Sequence, residues 1–155
     1  MRLPVERYDW ALSRLKKAGL RPTRSRQLIL RALANHKIPA SLDVLGEELR
    51  GRCNLATIYR TMLSLRRIGI VRQVNLTTRA TFFVLVAPGE RCEYLVCNYC
   101  GTIIELPHIQ SILDLRKRIA ARSGFRALQH ETVFYGICSD CQPGRTANGD
   151  KINLS

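Results

Sequence analysis

Six cysteines occur in 155 residues, and four of them form two identical spacings, Cys97-Asn-Tyr-Cys100 and Cys138-Ser-Asp-Cys141. A CxxC turn places two thiolates on one side of a tight loop, and two such turns supply the four soft donors of a tetrahedral Zn²⁺ site. With all four positions filled by protein, such a site is closed and structural, not catalytic. The competing chemistry is redox, but a thioredoxin-like motif occurs once, in a βαβ setting, and needs no second pair downstream. The 37 residues between the knuckles exceed the usual zinc-ribbon gap, so folded structure must bring the two loops together. No run approaches the roughly 20 apolar residues that span a bilayer, and MRLPVERYDWALSRLKKAGL lacks the apolar centre of a signal peptide. These features predict a cytoplasmic protein whose paired cysteines bind metal and do not form disulfides.

Charge provides the second chemical signal. Residues 1–88 hold 17 Lys and Arg against 5 Asp and Glu, whereas residues 89–155 hold 8 against 7, so nearly all of the net charge of +13 lies in the first half. Solubility gives no reason for that asymmetry, but a polyanion does, because each neutralised phosphate releases counterions. A membrane surface is the other partner for basic segments, and the chain lacks the large exposed apolar face needed to insert.

The elements that position these groups follow from periodicity. Residues 5–18 have helical spacing through Val5, Tyr8, Trp10, Leu12 and Leu15 and predict a peripheral first helix ending at Gly19. Arg21-Pro22 breaks the pattern, and Thr23 caps a second helix with Leu28, Ile29, Ala32 and Leu33 inward. Arg24 and Arg26 fall in its first turn, opposing the helix dipole in a way that makes sense beside a phosphate. Pro39 and Ser41 introduce a short acidic third helix. Asn54 then caps NLATIYRTMLSLRRIGIVRQ, in which Leu55, Ile58, Met62 and Leu65 form one face while Thr57, Arg60, Ser64 and Arg67 form the other. Strands at Ile70–Val74 and Thr81–Val86, joined by a polar connection bearing Arg79, follow at once. That order is a winged helix-turn-helix, whose last helix lies in a DNA major groove.

Ala87-Pro88-Gly89-Glu90 is a compact break where the charge balance also changes. The division expected is a winged-helix DNA-binding domain over 1–87, a zinc-stabilised dimerisation domain over 88–142 and a polar mobile tail over 143–155. The second domain reads as strands at Glu93–Val96 and Thr102–Leu106, a helix from about Ile109 to Arg122, and a strand within Arg126–Ile137. The fold class is α+β.

The succession GLRPTRSRQLILRAL, NLATIYRTMLSLRRIGIV, CNYCG and FRALQHETVFYGICSDC resembles the ferric uptake regulator family of metal-responsive transcriptional regulators, over roughly Ala18 to Cys141. The resemblance implies a homodimer on a palindromic operator in double-stranded DNA, with no enzymatic activity. It also implies that Tyr59 and Arg60 approach DNA and that Arg26 contacts the backbone. Members usually carry a His-rich run before the first CxxC that helps to bind a second, regulatory divalent metal. The corresponding stretch here is Arg91-Cys92-Glu93-Tyr94-Leu95-Val96, and TFFVLV in the wing offers no carboxylate. His130 matches a sensing position, Glu93 stands where Asp is common, and His36 continues as Lys37 where a second His is usual. The chain has only three histidines, the third being His108. The expectation is a transcriptional repressor with an altered or degraded regulatory metal site, its remaining candidates being His36, Cys92, Glu93 and His130. Two other functions fit parts of the sequence: a thiol-based redox switch or oxidoreductase using the CxxC pairs, and a basic zinc-ribbon module that binds RNA or protein. Few aromatics are available to stack single-stranded bases.

Overall fold

The computed structural model describes residues 3–76, 80–87, 93–107, 109–126 and 132–142. The chain forms two compact units, Met1–Glu90 and Arg91–Ser155. Arg79, Cys92, His108 and His130, together with the tail from residue 143, lie outside the described residues.

In the first unit, α1 (Pro4–Lys17) and α2 (Arg24–Asn35) precede a two-residue strand β1 (Ala40–Ser41), α3 (Leu42–Glu48), α4 (Leu55–Arg67), β2 (Val71–Val74) and β3 (Phe82–Leu85). Side-chain caps start three of the helices: Thr23 Oγ1 accepts from Arg26 N at 3.3 Å, Ser41 Oγ from Val44 N at 3.2 Å and Asn54 Oδ1 from Thr57 N at 2.8 Å. Gly69 takes a φ of 72° just beyond α4, where a side chain would be strained, and Ile70 N bonds back to Leu65 O. The core gathers Ile29, Leu30 and Leu33 of α2, Leu45 of α3, Ile58, Met62 and Leu65 of α4, and Phe83 and Leu85 of β3.

Helix α1 is not peripheral. Its inward face runs through Arg7, Ala11 and Leu15, all buried, whereas Val5 is 68% exposed. The apolar pattern alone misses this face because one of its members is an arginine. The wing sheet also has a third strand that two residues of sequence could not announce: β1 pairs antiparallel with β3, which pairs antiparallel with β2.

The second unit contains β4 (Glu93–Cys97), β5 (Ile103–Glu105), α5 (Gln110–Ser123), β6 (Thr132–Gly136) and a 3₁₀ turn at Ser139–Cys141. Strand β4 is central, antiparallel to β5 and parallel to β6, with Cys97 in register with Gly136. Parallel neighbours require a crossover, and α5 provides it. Both faces of β4 are covered at Glu93, Tyr94, Val96 and Cys97, but no residue of α5 is buried.

Candidate metal centre and nucleic-acid interface

The parallel register of β4 and β6 explains how knuckles so far apart in sequence meet. Cys97 ends β4, and Cys138 follows β6 by two residues, so both reach the same end of the sheet. Asn98 N donates to Gly136 O at 2.8 Å and fixes that end. Each knuckle then closes on itself, through Gly101 N to Cys97 O and Cys141 N to Cys138 O, both at 3.0 Å. Gly101 adopts a φ of 74°, which lets the first knuckle turn back into β5 without strain.

The four sulfur atoms lie within 4.8 Å of one another. Cys100 Sγ and Cys138 Sγ are 3.7 Å apart, close to the roughly 3.8 Å edge of a tetrahedron with Zn–S bonds of about 2.3 Å. The donor set therefore fits a tetrahedral thiophilic ion. Among the described residues, no second group of three or more His, Cys, Asp and Glu side chains converges in this way.

The thiols are not equivalent. Cys97 is pulled down to about 6 by the backbone N–H of Cys138, 3.3 Å from its sulfur, and then by that of Cys100. Cys100 is lowered chiefly by Thr102, whose hydroxyl lies 3.0 Å away. At Cys138 the Cys141 thiol pulls downward, but removal from water and the Cys97 and Cys100 sulfurs push harder and leave it raised. Cys141 is pushed up to about 12, mainly through its hydrogen bond with Cys138. Four thiolates cannot coexist so closely without a cation, and a divalent ion is the species that lets all four ionise.

In the first unit, α4 divides into an inward and an outward side, except that Leu55, expected inward, is 51% exposed because it lies in the first turn at the edge of the core. Ile58, Thr61, Met62 and Leu65 are buried, Tyr59, Arg60 and Arg67 are exposed, and Thr57 and Ser64 are half-buried. Ser64 Oγ donates to Arg60 O at 3.0 Å. Arg66 bonds the Gln73 side chain and ties α4 to β2. Arg24 is exposed, while Arg26 is half-buried and donates to Arg21 O at 2.8 Å, holding the turn between α1 and α2. The last turn of α1 adds Arg14, Lys16 and Lys17, a basic group outside the helix-turn-helix pattern whose run of charge is nonetheless visible in the sequence.

Of the remaining metal candidates, His36 is engaged within its own unit. Its Nε2 lies 2.8 Å from Glu48 Oε2, and its carbonyl accepts from Arg7 Nη1 at 2.6 Å. Arg7 also reaches Ala34 O at 2.7 Å, so a buried guanidinium caps the C-terminus of α2. Glu93 is buried in β4, beside a Tyr94 that is 1% exposed.

The sequence pattern of the Ferric uptake regulator family matches residues 17–135. The Ferric uptake regulation protein of Legionella pneumophila is 34% identical over 137 residues, covering 83% of this chain and 96% of that one. The Vibrio cholerae ferric uptake regulator structure has a TM-score of 0.66 at 30% identity, covering 80% of this chain and 96% of that one. The ferric uptake regulator of Pseudomonas aeruginosa, solved with manganese, has a TM-score of 0.70 at 28% identity, covering 83% and 97%.

Proposed function

The chain belongs to the ferric uptake regulator family, and on that premise we propose a homodimeric transcriptional repressor that reads a palindromic operator and holds one structural Zn²⁺ per chain. Members of the family are DNA-binding transcription regulators, not enzymes. The observation that carries the reading is α4, whose apolar side closes the core while Tyr59, Arg60 and Arg67 stand exposed on a unit of strong positive charge. Thr57, Ser64, Arg24, Arg26 and the wing residue Arg79 complete the proposed DNA contacts. The domain boundary, expected at residues 87–88, falls within the few residues up to the division of the two units at Glu90 and Arg91, and the protein works in the cytoplasm.

Cys97, Cys100, Cys138 and Cys141 hold the zinc, which cross-links the ends of β4 and β6 and supplies no reaction chemistry. Dimerisation uses the second unit, where Ile104, Leu115, Ile119, Phe134 and Tyr135 are each more than two-fifths exposed. A set of large apolar side chains of this kind in so small a unit is typical of a surface covered by a partner.

The regulatory metal site is altered or lost. His36 is paired with Glu48, β3 presents no carboxylate, and the position before Leu95 is a buried tyrosine. The protein either binds DNA without a second metal or uses a weaker site that includes Cys92, with Glu93 and His130. Metal analysis of protein purified without added metal, read beside duplex binding with and without chelator, tests the reading. One zinc per chain and salt-sensitive duplex binding are expected, and Cys138→Ser should release the metal and the dimer. Protein that is zinc-free yet folded and dimeric rules out the structural site. Reversible disulfide formation in place of zinc would favour the thiol-switch alternative, to which the exposed Cys100, 3.7 Å from Cys138, lends some support.

A further inference from the structure

The outward side of α4 is not only polar. Leu55 is 51% exposed and Tyr59 is 47% exposed, and residues four apart on a helix lie on one face, so the two form an apolar ridge beside Arg60. Single exposed leucines are ordinary, but this one lies in the first turn of the helix read as entering the major groove.

Leu55 also has a place prepared for it. Gly46 sits within the seven-residue helix α3, where glycine is a poor helix former. A methyl group on Gly46 would stand 3.3 Å from Leu55 Cδ1, closer than a comfortable contact. Every other glycine among the described residues has either a positive φ or open space around it, so Gly46 is the one whose missing side chain serves a neighbour. The bare backbone of α3 forms a shelf that supports one side of Leu55 while the other faces outward.

In the major groove, thymine is distinguished by its C5-methyl group, which is read by apolar contact. We propose that Leu55, held on the Gly46 shelf, is a specificity-determining residue that contacts a thymine methyl next to the bases reached by Tyr59 and Arg60. The proposal rests on α4 being the recognition helix, and it commits to an occupant because the ridge is continuous with that DNA-reading face.

The test uses the full-length protein and a duplex selected by it from a random-sequence pool, in which each thymine is replaced in turn by deoxyuridine, which lacks only the methyl. Wild-type affinity should fall by about fourfold at one thymine per half-site, the transfer value of one buried methyl. Leu55→Ala should weaken binding to the thymine duplex by a similar factor and be indifferent to the uridine replacement there. Gly46→Ala, which displaces Leu55 without touching DNA, should blunt the same discrimination while the melting temperature does not fall. Full methyl discrimination in Leu55→Ala, or discrimination lost in Tyr59→Ala alone, overturns the proposal. If the wild type enriches no duplex, the DNA-binding reading itself fails and this inference falls with it.

Discussion

Cys97 and Cys141 share one cluster, yet the first is drawn down to about 6 by the Cys138 N–H and the second is pushed up to about 12 by its bond with Cys138. The direction of the proton linkage follows. At neutral pH Cys97 is already largely a thiolate, so the protons that zinc binding displaces come from the other three thiols, Cys141 above all. As the pH falls through about 6, Cys97 must also be deprotonated, so proton release per zinc rises and affinity drops more steeply. Calorimetry in buffers of different ionisation enthalpy should record that rise, and a constant release across this range would contradict the asymmetry. On the DNA side, Arg60→Ala should cost about 1–3 kcal/mol at a specific site and relax base preference at one position. Arg79→Ala should weaken all duplexes evenly and flatten the salt dependence, as expected for a phosphate contact. Competition binding across single-base operator variants separates the two.

At the scale of elements, Arg7 joins α1 to the end of α2. Its guanidinium bonds two carbonyls that no C-terminal glycine satisfies, because His36 leaves α2 with extended backbone. Arg7→Met should therefore lower stability by about 2–4 kcal/mol, since charge-assisted bonds at a buried helix end are lost together. Urea unfolding followed by fluorescence of Trp10, which packs against this core, would report it. The same residue shows where sequence reading stops. Helices α2 and α4 were legible because their apolar spacing and caps agree, and α5 because Pro107 precedes it and Gly124 ends it in the left-handed conformation. The buried face of α1 was hidden because an arginine occupies an inward position. Strand β1 was hidden because its two residues form a strand only through their pairing with Phe82 and Phe83, a tertiary fact. The four knuckle cysteines were legible from spacing alone, whereas the His36–Glu48 pair is set by how α2 and α3 pack.

For the molecule as a whole, the two units carry different deficits. The first has a full core and an excess of positive charge, whereas among the described residues of the second few side chains are buried and several large apolar ones are exposed. In the proposed complex a partner copy would cover those apolar side chains, and DNA would neutralise the charge. The expected regulatory behaviour follows from the thin ligand supply. Adding manganese, iron or cobalt to zinc-loaded protein should change operator affinity little, and any residual response should disappear in Cys92→Ala or His130→Ala. Fluorescence anisotropy at fixed ionic strength measures this. A tightly bound second ion in a His-rich shell would contradict both branches.

The parallel pairing of β4 with β6 also governs time. Cys97 and Cys138 are 41 positions apart, and that pairing must close a long loop before its hydrogen bonds reward it. Thiolates bind metal in unfolded chains as well, so an ion captured early by both knuckles would bring the two strand ends together before the sheet exists. Zinc present from the start of refolding should therefore accelerate the second unit, while zinc added afterwards should stabilise it without any such gain in rate. Stopped-flow refolding with the two orders of addition distinguishes a metal that guides the search from one that only secures its result.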